Sequence, residues 1–349
     1  MNIKNKFSLS NFSKYRNILM GIEILFIIFF HFTEDCKTYD VRFEGFVSYL
    51  YNYIRSSGVD VFLLISGLGL YYSWKNNPNY KNFISKRFSR ILIPYCLVAV
   101  IAWAWRDFAI DKVGISVFLE DISFVSLFTR GVKWFWYIFM MGICYLIFPI
   151  IYNLFEKSKS YRNDGIKILL LFCLSTIFAG VLRDKYHTLY ANTSILIFRF
   201  PMFVLGCWIG KLSYNKVEIS FGKIGTIGIS LFITLFVLKS VNYDLIRSYL
   251  CAFYNICICV LVVLIFERID KTKGFQYISN ISGWCGSYSL ELYLVHVAIR
   301  RVMNILGYRT YRYSYEIIMI FLSIIVSIIL KKVSNSIQSK VVKNVKERC

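Results

Sequence analysis

The sequence predicts an all-α polytopic membrane protein with about ten transmembrane helices in one bundle. Of its 349 residues, 57% are hydrophobic, compared with roughly 45–50% in soluble domains. The apolar residues lie in runs near twenty residues long, the length at which a helix spans a bilayer. The candidate helices cover residues 17–33, 57–74, 89–106, 135–153, 166–182, 194–210, 222–238, 249–266, 286–303 and 315–331.

Charge bears on the partners of the chain and on its orientation. The formal net charge is +21, but Lys and Arg lie between the apolar runs rather than on a soluble face, so nucleic acid is not an expected partner. Cytoplasmic loops retain positive charge, and most of the 41 Lys and Arg fall on the side of the N-terminus. We therefore expect both termini in the cytoplasm. One predicted outer loop, 300–314, is an exception, because it contains Arg300, Arg301, Arg309 and Arg312. Either the predicted helix bounds are wrong there, or the loop is a functional basic patch.

The runs and their short loops predict one membrane domain over residues 1–349, multi-pass in the cell membrane, with no appended soluble domain. Most of the ten cysteines lie inside apolar runs, where they act as small hydrophobes. No Cys–His cluster has the spacing of a zinc site, so no metal is expected.

The first helix carries ionisable residues within an apolar run, in the stretch RNILMGIEILFIIFFHFTED at 16–35. At about 100° per residue, Arg16 and Glu23 point within about 20° of each other, and His31 lies about 12 Å beyond Glu23. Such residues usually face a bundle interior or a water-filled cavity. In the alternative interpretation, His31 is an interfacial residue, and Glu23 is neutral or paired with a neighbouring helix.

Six blocks carry a resemblance to a known family. In chain order they are LMGIEILFIIFFH at 19–31, SSGVDVFLLISGLGLYYS at 56–73, FISKRFSRILIPY at 83–95, WFWYIFMMGICYLIFPIIY at 134–152, FRFPMFVLGCWIG at 198–210 and GSYSLELYLVH at 286–296. With these blocks the chain resembles the type-3 acyltransferases, bacterial integral-membrane proteins of ten or so helices. Members modify cell-surface glycans with acetyl or other short acyl groups.

The resemblance implies an O-acyltransferase that uses acetyl-CoA as donor and a surface polysaccharide or its lipid-linked precursor as acceptor. His31 matches the histidine that the family uses in catalysis. A neutral imidazole can take the proton from a sugar hydroxyl or carry the acyl group transiently, and both roles are open to His31. Asp60, near the outer end of the second helix, is expected to contact His31 and set its tautomer. In the alternative, Asp60 is an interfacial helix cap.

The first block departs from the family pattern at one position. Many members have an arginine directly before the glycine, where this chain has Met20. The nearest arginine is Arg16, one turn earlier, and we assign it to the donor on that basis. Glu23 stands where a small residue is common, and we expect it to orient or balance an arginine from another helix, Arg199 being one candidate.

The segment KRFSR at 86–90 begins the third candidate helix on the cytoplasmic side. Arg87 and Arg90 are three residues apart and share a face, so their guanidinium groups can grip phosphates bidentately. By sequence alone, ordinary positive-inside anchoring is the commoner explanation. The family's Arg-x-x-Arg motif matches both positions and implies that they bind the CoA phosphates.

Four further residues are candidates for substrate binding. Arg199 lies near the outer end of the sixth helix and either binds the acceptor or snorkels to headgroups. Trp134 begins the fourth helix, a position typical of interfacial aromatics. Glu291 and His296 are five residues apart, about 140° around the ninth helix, so they face different neighbours. His296 matches a family histidine, with packing as its alternative role.

Two functions follow from these residues. The first is the acyl-CoA-dependent O-acyltransferase, with acyl-CoA, a glycan acceptor and the lipid bilayer as its partners. The alternative is a non-enzymatic transporter or flippase of an anionic lipid-linked sugar, for which intramembrane charges and the basic loop 300–314 are equally natural.

Overall fold

A computed structural model of the chain describes residues 6–41, 59–158, 160–220, 244–308 and 310–347, with scattered positions between 222 and 237. Two three-residue strands, β1 Lys6–Ser8 and β2 Glu218–Ser220, pair antiparallel. The helices with described bounds are α1 Asn11–Lys14, α2 Arg16–Thr38, α3 Asp60–Asn76, α4 Tyr80–Ala104, α5 Ile115–Ile122, α6 Val125–Thr129, α7 Trp136–Glu156, α8 Tyr161–Lys185, α9 His187–Tyr214, α10 Asp244–Ile269, α11 Lys273–Ser287, α12 Ser289–Ile305 and α13 Tyr313–Glu347.

Seven helices within the described residues are long and apolar enough to cross a membrane, namely α2, α4 with its π-helical extension Trp105–Ile110, α7, α8, α9, α10 and α13. Each coincides with a predicted span. The predicted spans 57–74 and 286–303 correspond to the shorter helices α3 and α12, of 17 residues each. The predicted span 222–238 lies largely outside the described residues. The all-α membrane fold is confirmed, whereas the count of ten and the cytoplasmic termini stay predictions.

Two pairs of helices cross at very short distance, and glycine permits both crossings. A Cβ on Gly67 of α3 would lie 2.4 Å from the carbonyl oxygen of Phe203 in α9, and one on Gly206 would lie 2.1 Å from that of Leu64. A Cβ on Gly21 of α2 would lie 1.7 Å from the carbonyl oxygen of Ser282 in α11. Any side chain there would force the helices apart.

Helix α11 was not predicted as a separate element. Residues 267–285 lie between the predicted spans 249–266 and 286–303, where the sequence predicts a cytoplasmic loop. Thr272 caps α11 by accepting a hydrogen bond from the backbone N–H of Phe275 at 3.2 Å. The helical conformation is interrupted at Tyr288, and α12 begins at the next residue. The predicted span 286–303 therefore corresponds to α12, and α11 fills most of the interval before it.

The segment before α2 is tied to the chain that follows α10. The ammonium group of Lys14 donates to Asp270 at 2.7 Å, and the hydroxyl of Tyr15 donates to the same oxygen at 3.1 Å. The hydrogen bond from Lys14 lowers the pKa of Asp270 below its usual value. This contact fixes the start of α2, the helix that carries the candidate catalytic histidine.

Candidate functional site

Two cavities lie inside the bundle, one beyond the other along the helix axes. The outer cavity has a volume of about 390 Å³ and is lined by His31. The inner cavity has a volume of about 760 Å³ and is lined by Arg87 and Arg90. Val59 and Tyr293 line both cavities. The wall between the two cavities is therefore one side chain thick at these residues.

Four helices, with the residues just before them, pass from one cavity to the other. On α2 the inner cavity is lined by Arg16 and Met20, and the outer one by Ile27 and His31. On α12, Glu291 faces the inner cavity, whereas Val297 and Arg300 face the outer one. Helices α3 and α7 run in the opposite direction, because Asp60 and Trp136 at their starts line the outer cavity and later residues line the inner one. The cavities are thus two halves of one path through the centre of the bundle.

The imidazole of His31 is half-buried and packed against a second histidine. The rings of His31 and His296 are parallel within 8°, with centroids 5.4 Å apart. Within the described part of the chain, Nδ1 of His31 has no hydrogen-bond partner, and neither ring nitrogen of the buried His296 has one. His296 therefore orients His31 by stacking, and His31 keeps a ring nitrogen available for chemistry.

Asp60 lines the outer cavity with His31, but its contacts are with other residues. One oxygen of Asp60 accepts a hydrogen bond from Nδ2 of Asn255 at 3.0 Å, and the other lies 3.6 Å from Nε of Arg199. The described residues give no hydrogen bond between Asp60 and His31, so the expected tautomer-setting contact is corrected. Asp60 instead orients Arg199, whose guanidinium group lies over the ring of Trp136 at 5.5 Å.

The shared stripe that the sequence suggested on α2 is split in the structure. Arg16 lines the inner cavity and His31 the outer one, but Glu23 lines a separate cavity of about 40 Å³ against α10. Glu23 is 3% exposed, and its Oε1 has no hydrogen-bond partner among the described residues. The partner proposed for it, Arg199, pairs with Asp60. The structure therefore places Glu23 outside the cavity of His31, and its catalytic role stays a prediction.

Arg300, one of the basic residues of the predicted outer loop 300–314, has a structural role that the sequence did not reveal. Its guanidinium group contacts both oxygens of Asp35, at 2.9 and 2.5 Å, and Glu34 at 2.8 Å. Thr310 also donates to Asp35 at 2.9 Å. These contacts tie the outer end of α2 to α12 beside the histidine pair. The acidic pair in FTED at 32–35 was the available sequence signal.

Trp134 lies at the outer cavity and is held in place by a second aromatic ring. Its ring stacks on that of Trp103 in α4, with centroids 4.3 Å apart and planes within 21°. The guanidinium group of Arg106 lies over both rings, at 5.1 Å from Trp103 and 5.6 Å from Trp134. Trp134 and Trp136 thus give the outer cavity a rigid aromatic side.

The inner cavity is strongly cationic. Four of its lining side chains are basic and one is acidic: Arg16, Arg87, Arg90 and Lys331, against Glu291. A further cavity of about 540 Å³ adjoins it and shares Arg87 and Arg90. Guanidinium groups bind phosphate bidentately, so this pair of cavities suits a polyphosphorylated ligand. The two arginines that the sequence selected lie at its centre, and Arg16 joins them.

The fold and these cavities define an all-α membrane protein with a central histidine site. Residues 15–332 match the model of the type-3 acyltransferase family, described as an acyltransferase domain. The chain therefore belongs to this family and is a membrane acyltransferase, which confirms the resemblance drawn from the six sequence blocks. Comparisons with curated proteins and with solved structures gave no match.

Proposed function

We propose that the protein is an O-acetyltransferase that moves an acetyl group from cytoplasmic acetyl-CoA to a hydroxyl of a cell-surface polysaccharide or of its lipid-linked precursor. One observation carries the proposal: a cation-lined cavity meets the cavity of His31 at a wall one side chain thick. A phosphorylated donor on one side and a hydroxyl acceptor on the other could thereby share one reaction centre.

The donor occupies the inner cavity in this proposal. Arg87, Arg90 and Arg16 bind the CoA phosphates near the cytoplasmic ends of their helices. The pantetheine arm then extends along the cavity towards Val59 and Tyr293, and the thioester reaches the side of His31. This direction agrees with cytoplasmic termini in the cell membrane, because the Arg16 end of α2 then lies on the side where acyl-CoA is made.

The acceptor occupies the outer cavity. Trp134 and Trp136 offer flat apolar faces on which a sugar ring can stack, and Arg199 offers donors for its oxygens. Asp60 fixes Arg199 in that position at 3.6 Å. His296 holds the imidazole of His31 in position by stacking on it. Glu291 lines the inner cavity and is therefore part of the donor site.

Transfer can follow either of two routes at His31. As a general base, His31 takes the proton of the acceptor hydroxyl while the hydroxyl oxygen bonds to the thioester carbonyl carbon. The carbon–sulfur bond breaks, and the proton passes from His31 to the CoA thiolate. As an acyl carrier, a neutral ring nitrogen bonds to the thioester carbonyl carbon, and the carbon–sulfur bond breaks to release the CoA thiolate. The acceptor hydroxyl oxygen then bonds to the same carbon, the carbon–nitrogen bond breaks, and the hydroxyl proton passes to the thiolate. Both routes yield an ester and free CoA.

The test compares surface glycans by mass spectrometry from cells with the wild-type chain, without it, or with His31→Ala. We expect the mass of one acetyl group on the glycan only with the wild-type chain, while purified His31→Ala still binds acetyl-CoA. His187→Ala is the matched control, because His187 is exposed at the start of α9. Full acetylation in His31→Ala would refute the role of His31. Transport of a glycan lipid without any acyl donor would favour the flippase alternative.

A further inference from the structure

We propose that Val59 and Tyr293 form an acyl-selecting wall, a subsite between the two cavities that admits a two-carbon acyl group and excludes longer ones. The inference rests on the proposed function and adds to it the residue that sets the acyl length. Of the residues that the structure describes, Val59 and Tyr293 line both the inner and the outer cavity. A group that crosses from one cavity to the other beside these residues contacts both side chains.

The ring of Tyr293 is held firmly in this wall. Tyr293 is 5% exposed, and its ring meets that of Tyr137 edge to face at a centroid distance of 5.5 Å. The ring of Tyr137 packs in turn against Phe62, at 6.0 Å. Val59 is also buried. A wall built from interlocked buried rings does not yield easily to a larger ligand, because packed interiors resist added volume.

The wall lies next to the histidine pair. On α12, Tyr293 precedes His296 by three residues, a rise of about 4.5 Å along the helix. His296 stacks on His31. Because the donor enters from the inner cavity and His31 lies in the outer one, the thioester carbonyl has to sit at the wall during transfer. The hydrocarbon part of the acyl group then lies against the ring of Tyr293.

This position predicts a steep dependence of transfer on acyl length. One extra methylene in a fitted apolar site typically changes specificity by about 10- to 200-fold. The wild-type chain should therefore prefer acetyl-CoA over propionyl-CoA and butyryl-CoA by at least about 10-fold per carbon. Shortening the side chain at 293 should remove most of that preference without moving the donor cations or His31.

The experiment measures transfer from acetyl-, propionyl- and butyryl-CoA in membranes that contain the chain and its glycan acceptor, with the products quantified by mass spectrometry. We expect Tyr293→Leu to raise the butyryl-to-acetyl ratio at least about 10-fold. Tyr293→Phe keeps the ring and should keep the wild-type ratio. Tyr95→Leu is a second control and should keep the wild-type ratio, because Tyr95 is buried but lines neither cavity, and its hydroxyl donates to the carbonyl oxygen of Ile122.

Each result decides the matter. An unchanged ratio in Tyr293→Leu, or a wild-type chain that uses butyryl-CoA as well as acetyl-CoA, overturns the acyl-selecting wall. If Tyr293→Leu transfers nothing, Val59→Ala widens the same wall from its other side and should show the same shift. Loss of transfer in both folded variants also overturns the inference, since a wider wall must still pass acetyl. A wild-type chain that transfers no acyl group from CoA instead refutes the proposed function.

Discussion

Asp35→Asn should lower the free energy of unfolding more than Glu34→Gln, although the two residues are neighbours in the chain. Both carboxylates contact Arg300, but their surroundings differ. The side chains of Arg300 and Asp35 are 5% and 6% exposed, whereas that of Glu34 is 48% exposed. Asp35 accepts from Nε and Nη2 of Arg300 and from Thr310. Removing its charge leaves a buried guanidinium group with only the solvent-exposed partner.

The expected magnitudes follow from that burial. Breaking a buried ion pair by removing one partner typically costs about 3–5 kcal/mol. We expect about 3 kcal/mol for Asp35→Asn, because the amide oxygen can still accept one hydrogen bond and Glu34 remains. An exposed ion pair contributes less than about 1 kcal/mol, which sets the expected loss for Glu34→Gln.

The assay is equilibrium unfolding by denaturant in detergent micelles, with both variants and the wild-type chain measured side by side. Since Arg300 ties α12 to the outer end of α2, Asp35→Asn should also reduce acyl transfer by disturbing the stack of His31 on His296. Equal losses of unfolding free energy in the two variants would refute the reasoning from burial. So would a normal transfer rate in a clearly destabilised Asp35→Asn protein.

Two other predictions concern the donor cations and the N-terminal contact. Arg87→Ala and Arg90→Ala should each raise the KM for acetyl-CoA by about 10-fold or more with little change in kcat. The reason is that a charge-assisted hydrogen bond contributes about 1.5–3 kcal/mol. A lowered kcat at unchanged KM would contradict this role. The pKa of Asp270 is lowered by Lys14, so the pair stabilises the fold above about pH 4 and loses its effect as the pH falls through the lowered pKa. Asp270→Asn should thus be slightly less stable than the wild type at pH 7 and equal to it in acid; a difference that grows in acid would contradict the sign.

The sequence predicted the spanning helices because length and apolar composition are local properties. Helix α11 escaped prediction because residues 273–287 contain polar residues and three glycines and so do not form an apolar run of spanning length. A Cβ on Gly286 would lie 1.9 Å from the carbonyl oxygen of Asn17. That crossing is a tertiary fact, which no periodicity within residues 273–287 encodes.

In the candidate site too, some residues could be selected from local sequence, whereas their partners depend on contacts between distant parts of the chain. His31, Arg87 and Arg90 were selected by motif, and the structure brings them to two adjoining cavities. The pairings of Asp60 with Arg199 and of Asp35 with Arg300 join residues far apart in the chain, so the sequence could not choose between partners. Helical geometry places Glu23 on the same broad side of α2 as Arg16, but it does not say which neighbouring helix the side chain meets. A small rotation about the helix axis is enough to turn it from the central cavities towards α10.

The departure from the family pattern at Met20 is accounted for by the inner cavity. Met20 and Arg16 both line it, and the guanidinium group of Arg16 lies beside Gly69 of α3, where a Cβ would be 3.5 Å from Nη1. On α2 the cation of this cavity is therefore Arg16, four residues before Met20 and about 6 Å nearer the N-terminal end of the helix. In the proposed function, Arg16 then joins Arg87 and Arg90 at the donor phosphates, and Met20 adds an apolar side chain to the lining of the same cavity. An apolar side chain at position 20 suits the hydrocarbon of an acyl group better than a guanidinium group would, because burying an unpaired charge there is costly.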